Sequence, residues 1–348
     1  MVEARIRARR CAVISATNKK WRLLRQWTAR YPMWCAWQVT YRCNFRCGFC
    51  GYWCDPLSTA PEPTVEQIDR ACGKLDKLGT TFISLAGGEP LIRDDIVEIC
   101  HRVARFHISF VTTNGWYLTP ELARQLFEAG LWGVSVSIDY ADPAMHDKRR
   151  GVEGAFERAV RALDYLQAAR IHRWQRVNVM TVLLHDNLDH IEPLLQLAAR
   201  HGAYLMVQPY GVLKTGNPLF RCQQEGVSQR LLELKSRYGN FLSNKVFLRR
   251  IDEALNGGVS GCRAGTAFFN IDSLGQVTIC VERRAQPVGN LYDDDEQDLI
   301  RRLRRDGKAN HCQRCWYNCR GEVEMLYHPV GLMRSLPTLL FDRGRADL

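Results

Sequence analysis

Between Trp34 and Tyr238 the chain switches six times between a short apolar run and a longer amphipathic one, and this alternation limits its fold more than any other feature. Strands are predicted over Trp34–Tyr41, Thr80–Ala86, His107–Thr113, Trp132–Asp139, Arg176–Leu184 and Ala203–Pro209. Helices are predicted over Thr64–Leu78, Asp94–Phe106, Pro120–Ala129, Gly154–Ala169, Leu188–Arg200 and Val227–Tyr238. Strands joined through helices at short spacing build a parallel sheet with crossover helices. Six units fall short of the eight that close a barrel, so the expected fold is α/β, an open, partial (β/α)6 TIM-like barrel over residues 34–245. In such a sheet the chemistry sits at the carboxyl ends of the strands, so the residues just beyond each strand are the ones to read. After Lys245 the alternation stops, and a smaller α+β unit is expected over 246–325, followed by a tail at 326–348.

The chain has 14 Cys, and they are clustered, with three in residues 43–50 and three in 312–319. In a chain of 348 residues whose first residues do not read as a secretory signal, clustered Cys point to metal or iron–sulfur ligation in a reducing compartment and not to a disulfide framework. No apolar run approaches the ~20 residues that span a bilayer. The first group follows the first strand as Cys43-Asn44-Phe45-Arg46-Cys47-Gly48-Phe49-Cys50, a C-x3-C-x2-C loop. Three thiolates on one short loop hold three irons of a [4Fe–4S] cube and leave the fourth iron open to another ligand. A zinc site with a distant fourth ligand, Cys54 or a His, is the alternative. Beyond the second strand comes Gly87-Gly88-Glu89-Pro90, in which two glycines permit close backbone approach and Glu89 offers a negative charge.

The three-Cys loop with aromatic Phe49 before its last Cys, together with the GGEP motif, resembles the radical S-adenosylmethionine (radical SAM) enzymes across residues 35–240. The resemblance implies a SAM-binding [4Fe–4S] cluster on Cys43, Cys47 and Cys50. It further implies reductive cleavage of SAM to a 5′-deoxyadenosyl radical, with Phe49, Gly87, Gly88, Glu89, Asn114, Ser137 and Arg150 around the cofactor. Ser137 ends the fourth strand and Arg150 precedes Gly151, the two positions where relatives commonly contact the polar groups of SAM. For Arg150 a surface cation at a helix start stays open, and for Asn114 a turn cap before Thr119. Gln208 and Tyr210, after the sixth strand, face adenine or substrate, or only line the barrel mouth.

Cys262 and Cys280 flank a predicted hairpin with Gly275 at its turn, followed by Cys312, Cys315 and Cys319 as C-x2-C-x3-C. This resembles the auxiliary-cluster region of the SPASM/twitch branch, with Gly289-Asn290 in its usual place, but five Cys close one auxiliary [4Fe–4S] cube and not two. Cys262, Cys280, Cys312 and Cys315 are the expected ligands, with Cys319 as the spare or a substitute. A zinc ribbon is the alternative.

Residues 1–34 hold nine Lys/Arg against Glu3, +8 of the total +11, beside Trp21, Trp27 and Trp34. This basic extension (1–33) reads as a helix packed on the domain, a helix lying on anionic lipid, or, less favoured, a nucleic-acid arm. The resulting expectation is a cytoplasmic radical SAM enzyme, peripheral at the inner face of the membrane in the lipid reading. A flavodoxin or ferredoxin would supply its electrons, and its substrate would be a small or lipid-derived molecule. The alternatives are a peptide or protein maturase and a non-catalytic zinc or nucleic-acid-binding protein.

Overall fold

The computed structural model describes residues 32–327, and most of the basic extension and of the C-terminal tail lies outside that range. Six strands run in parallel: β1 (Trp34–Thr40), β2 (Phe82–Gly87), β3 (Ile108–Thr113), β4 (Gly133–Ser137), β5 (Arg176–Leu183) and β6 (Tyr204–Pro209). The crossover helices between and after them are α1 (Val65–Lys77), α2 (Ile96–Phe106), α3 (Pro120–Glu128), α4 (Pro143–Arg150), α5 (Ala155–Ala169), α6 (Ile191–Arg200) and α7 (Val227–Arg237). This is the expected open, partial barrel. Helix starts follow local chemistry: Thr64 and Gln67 form a reciprocal capping box on α1, at 3.3 and 2.9 Å, and Thr119 accepts from the Leu122 N–H ahead of Pro120 in α3. Helix α4 is absent from the sequence reading because Pro143–Arg150 is short, ends in five polar residues and carries no apolar stripe. It forms on a cap from Asp142 to the Met145 N–H at 2.8 Å and ends at Gly151 in the left-handed region, φ +72°.

Helices α8 (Lys245–Arg249) and α9 (Ile251–Asn256) lead to β7 (Phe268–Ile271), β8 (Gln276–Thr278) and β9 (Gly289–Asn290), then α10 (Glu296–Lys308) and α11 (Asn318–Leu326). The hairpin turns at Gly275, φ +80°, as the sequence suggests. It does not stand apart. Strand β7 pairs in parallel with β1, Trp34 opposite Phe268 and Trp37 opposite Ile271, giving one sheet in the order β6-β5-β4-β3-β2-β1-β7-β8-β9. One hydrophobic core runs from Val179 and Leu205 through Val39 and Leu85 to Phe269, Leu299 and Trp316. The Lys74 ammonium in α1 fastens the far end, donating to the carbonyls of Leu291, Tyr292 and Asp294 at 2.8–3.1 Å. No helix among the described residues is long and apolar enough to cross a membrane.

Candidate active site

The Cys43–Cys50 loop leaves the carboxyl end of β1 and is clamped by the end of α4. The Arg46 N–H donates to Arg150 O at 3.3 Å, the Cys47 thiol lies 3.7 Å from the same oxygen, and Gly151 packs against the Arg46 backbone. Within the loop, Cys43 Sγ accepts from the Phe45 N–H at 3.4 Å and the Trp53 indole N–H donates to Cys47 O at 3.2 Å. Burial pushes the Cys43 thiol up to about 11 and the Cys47 thiol up to about 12, while the Arg150 guanidinium pulls both down. The charges of Cys43 and Cys50 both act on Cys47, so the three thiols share one small space. Cys54, the fourth ligand of a zinc alternative, is exposed and turns its thiol to Gly51 O at 3.4 Å.

Arg150 is not a surface cation at a helix start. It is the last residue of α4, buried, with Nη2 2.7 Å from Asp139 Oδ2 and its guanidinium 5.3 Å from the centre of the Phe49 ring. Asp139 is equally buried. Its Oδ1 accepts from the Val182 N–H at 2.9 Å, and its N–H donates to His146 Nδ1 at 3.2 Å. Burial raises Asp139 and lowers His146, which places a neutral imidazole beside the ion pair. Asp139 stood at a strand end in the sequence, but nothing there marked it as the partner of Arg150. Phe49 lies buried between Arg150 and Phe220.

Gly87 and Gly88 have a structural reason of their own, besides the close approach to a ligand expected of them. A Cβ on Gly87 would lie 1.9 Å from Thr40 O, and one on Gly88 2.1 Å from Arg42 O. The backbones here lock together, with Gly88 N–H on Thr40 O at 2.9 Å and Glu89 N–H on Arg42 O at 2.8 Å. Glu89 then brackets the ends of β2 and β3: its carboxylate accepts from the N–H groups of Leu91 and Asn114 and from the Thr113 hydroxyl at 2.7–2.9 Å. Burial outweighs these donors and pushes its carboxyl up to about 7. The Asn114 amide donates to Asn44 Oδ1 at 2.9 Å and accepts from the Trp116 N–H, so it ties the turn to the cysteine loop. Ser137 is half-buried at the end of β4, with Met180 of β5 as its cross-strand neighbour. Gln208 accepts from the Asn318 N–H at 3.4 Å, and the Tyr210 hydroxyl is engaged by Thr215 and Asn217.

The second cysteine group gathers around a buried Arg320, which donates to the carbonyls of Cys315, Val259 and Ser260 at 2.7–2.8 Å. Asn310 links Cys262 O, at 3.2 Å, to the Cys312 N–H, at 3.3 Å. Cys280, Cys315 and Cys262 all act on the charge of Cys319, whose thiol burial pushes well up. Cys312 acts on Cys315. Among the described residues no three His, Cys, Asp or Glu side chains converge on a point where one metal ion would sit. The remaining described cysteines, Cys35, Cys72, Cys100 and Cys222, are core side chains. A cleft of about 590 Å³ opens beside the second group, with Tyr210 and Val212 from the segment after β6 on one side and Arg314, Cys315 and Trp316 on the other.

The donor chemistry fits the implied cofactors: three thiols on one loop beside a guanidinium, Cys47 buried and Cys43 and Cys50 half-buried, suit a cluster with one open iron, and a second set of thiols around Arg320 suits a closed one. Residues 37–198 match the family model of the radical SAM superfamily. Mycofactocin maturase MftC of Mycolicibacterium smegmatis is 27% identical over 313 residues, covering 83% of this chain and 77% of that protein. AdoMet-dependent heme synthase of Methanosarcina barkeri is 27% identical over 318 residues, covering 81% and 88%. The fold matches Streptococcus suis SuiB bound to its precursor peptide SuiA, with a TM-score of 0.64, 16% identity and 80% and 67% coverage. It also matches native anSMEcpe with bound AdoMet, with a TM-score of 0.61, 15% identity and 91% and 100% coverage. The sequence family and the cysteine loop agree, and the non-catalytic alternative falls: residues 37–198 of this chain are a domain of the radical SAM superfamily of enzymes.

Proposed function

We propose that this chain is a radical SAM peptide maturase. The observation that carries the reading is the reach of its likeness to a maturase, 83% of the chain, far beyond the 37–198 domain that any superfamily member shares. The structural likeness to SuiB, solved with a precursor peptide, and the open cleft beside the second cysteine group support it. This reverses the order of the sequence expectation, which placed a small or lipid-derived substrate first. That reading keeps second place on the equal identity to a heme synthase, of which the chain covers 88%.

Cys43, Cys47 and Cys50 would hold the cluster, whose chemistry when bound would be one-electron reductive cleavage of SAM, leading to hydrogen abstraction from an unactivated carbon. The protein holds and orients. Arg150, fixed by Asp139, sets positive charge beside the thiolates, and Glu89 sets a carboxylate at the β2 end near Cys43. Glu89, Asn114, Ser137, Gly87, Gly88 and Phe49 form the surround in which SAM would lie. Cys262, Cys280, Cys315 and Cys319 are our choice for one auxiliary cube, with Cys319 in place of Cys312 because it faces the other three. A flavodoxin or ferredoxin as electron source and a cytoplasmic setting complete the reading.

Anaerobic reconstitution followed by iron and sulfide analysis should give about eight irons per chain, two cubes. Cys319→Ala should lose about four of them and Cys312→Ala few. Incubated with SAM, dithionite and a short peptide encoded beside this gene, the enzyme should form 5′-deoxyadenosine and change the mass of the peptide. Turnover of SAM with an unchanged peptide, and with a modified porphyrin, would favour the second reading.

A further inference from the structure

Residues 211–214, which follow β6, are wedged between the two cysteine groups. On one side a Cβ on Gly211 would meet the Tyr317 hydroxyl at 2.0 Å, and Tyr317 lies between Cys315 and Cys319. On the other, a Cβ on Gly51, next to Cys50, would lie 3.0 Å from Lys214 O. Both glycines admit this contact because they have no side chain. The Lys214 ammonium donates to the Tyr52 hydroxyl at 3.1 Å, sits 4.3 Å from the centre of its ring, and lies 3.5 Å from Glu282 Oε1. Glu282 Oε1 also accepts from the Tyr317 hydroxyl at 3.0 Å, and the Glu282 N–H donates to Cys280 Sγ at 3.4 Å. The path Cys50–Gly51–Tyr52, Lys214, Glu282, Cys280 is therefore continuous, with one cation at its middle. No motif in the sequence marks it, since its members lie up to 232 residues apart (Cys50 to Glu282).

We propose that Lys214 and Glu282 form a charge bridge that couples the two iron–sulfur sites and sets how readily the auxiliary cube accepts an electron. The proposal rests on the reading above that the second cysteine group holds a cube. Reduction adds one electron to a cube and transfers no atom. The extra negative charge is favoured by a nearby cation and opposed by a nearby anion, and partly buried charges act over longer distances than exposed ones. The side chain of Lys214 is 24% exposed and that of Glu282 10%. The charge of Lys214 acts on Cys50 and on Cys319, and that of Glu282 acts on Cys280, so each charge reaches the thiols that would carry the cubes.

The test is an electron paramagnetic resonance redox titration of the reconstituted full-length enzyme, with dithionite as the electron source. Lys214→Met leaves Glu282 unbalanced, and the reduced-to-oxidised ratio of the auxiliary cube at fixed potential should fall about tenfold, which is about 59 mV for a one-electron couple. Glu282→Gln should shift it the other way, and Lys214→Arg should restore it. Unchanged potentials in Lys214→Met with full iron content, or shifts of the same sign in Lys214→Met and Glu282→Gln, overturn the bridge. Loss of auxiliary iron in Lys214→Arg as well as in Lys214→Met makes the wedge purely structural and also overturns it. A wild-type count near four irons overturns the auxiliary-cluster reading itself, a failure seen before any variant is made.

Discussion

Glu89 carries a carboxyl that burial holds at about 7 instead of the ordinary 4.5. The sign of its effect follows by linkage. Between those two values the folded chain binds a proton that the unfolded chain has released, so stability falls as pH rises through this window and levels off above it. The span is worth about 3 kcal/mol at most. Glu89→Gln has no proton to bind, so the gap in urea-melt stability between wild type and variant should shrink or reverse from pH 5 to pH 8. A gap independent of pH would mean that Glu89 titrates normally. At this scale the sequence was a partial guide. Motif spacing and a strand end point to Cys43, Cys47, Cys50 and Glu89, the resemblance points to Arg150, and the fold brings Arg150 against the cysteine loop. Their partners were not legible, because Asp139 reaches Arg150 and Thr113 reaches Glu89 only through the fold.

At the scale of elements, the glycines of the GGEP turn separate two explanations. If they serve the close approach of β2 to β1, Gly88→Ala must push the Arg42 carbonyl aside and damage the fold with no ligand present. Overpacking of this kind costs roughly 1–3 kcal/mol, a fall of several degrees in melting temperature. We expect that fall in the iron-free protein, read by thermal denaturation. An unchanged melting temperature there, with weakened SAM affinity in the loaded enzyme, would return the glycine to cofactor approach. The helices that sequence reading recovered carry an apolar stripe, with a side-chain cap at some of them, such as α1 with Thr64 and Gln67. The ones it missed, α4 and the helices beyond Lys245, are short or mostly polar; α4 and α8 start on the caps Asp142 and Asn244, and α9 has no side-chain cap.

For the whole molecule the decisive contact is β1 with β7, two strands more than 200 residues apart. No local pattern announces such a pairing, so the stretch after Lys245 reads as a unit of its own, whereas its hairpin extends the barrel sheet and shares its core. The consequence is functional as well as structural, because a continuous sheet fixes how the second cysteine group stands relative to the barrel mouth. It also makes the two halves interdependent. Phe268, Phe269, Ile271 and Val277 are all buried. At about 1.5–3 kcal/mol for each buried side chain, their removal approaches the whole net stability of a typical protein, about 5–15 kcal/mol. It would also leave β1 as an open edge, free to pair with other chains. A chain cut after residue 245 should therefore aggregate or bind hydrophobic dye, and co-expression with residues 246–348 should recover a soluble complex, both read by size-exclusion chromatography. A monodisperse 1–245 fragment that melts cooperatively would show that the barrel folds without its C-terminal strands, and that the sheet joins two parts each able to stand alone.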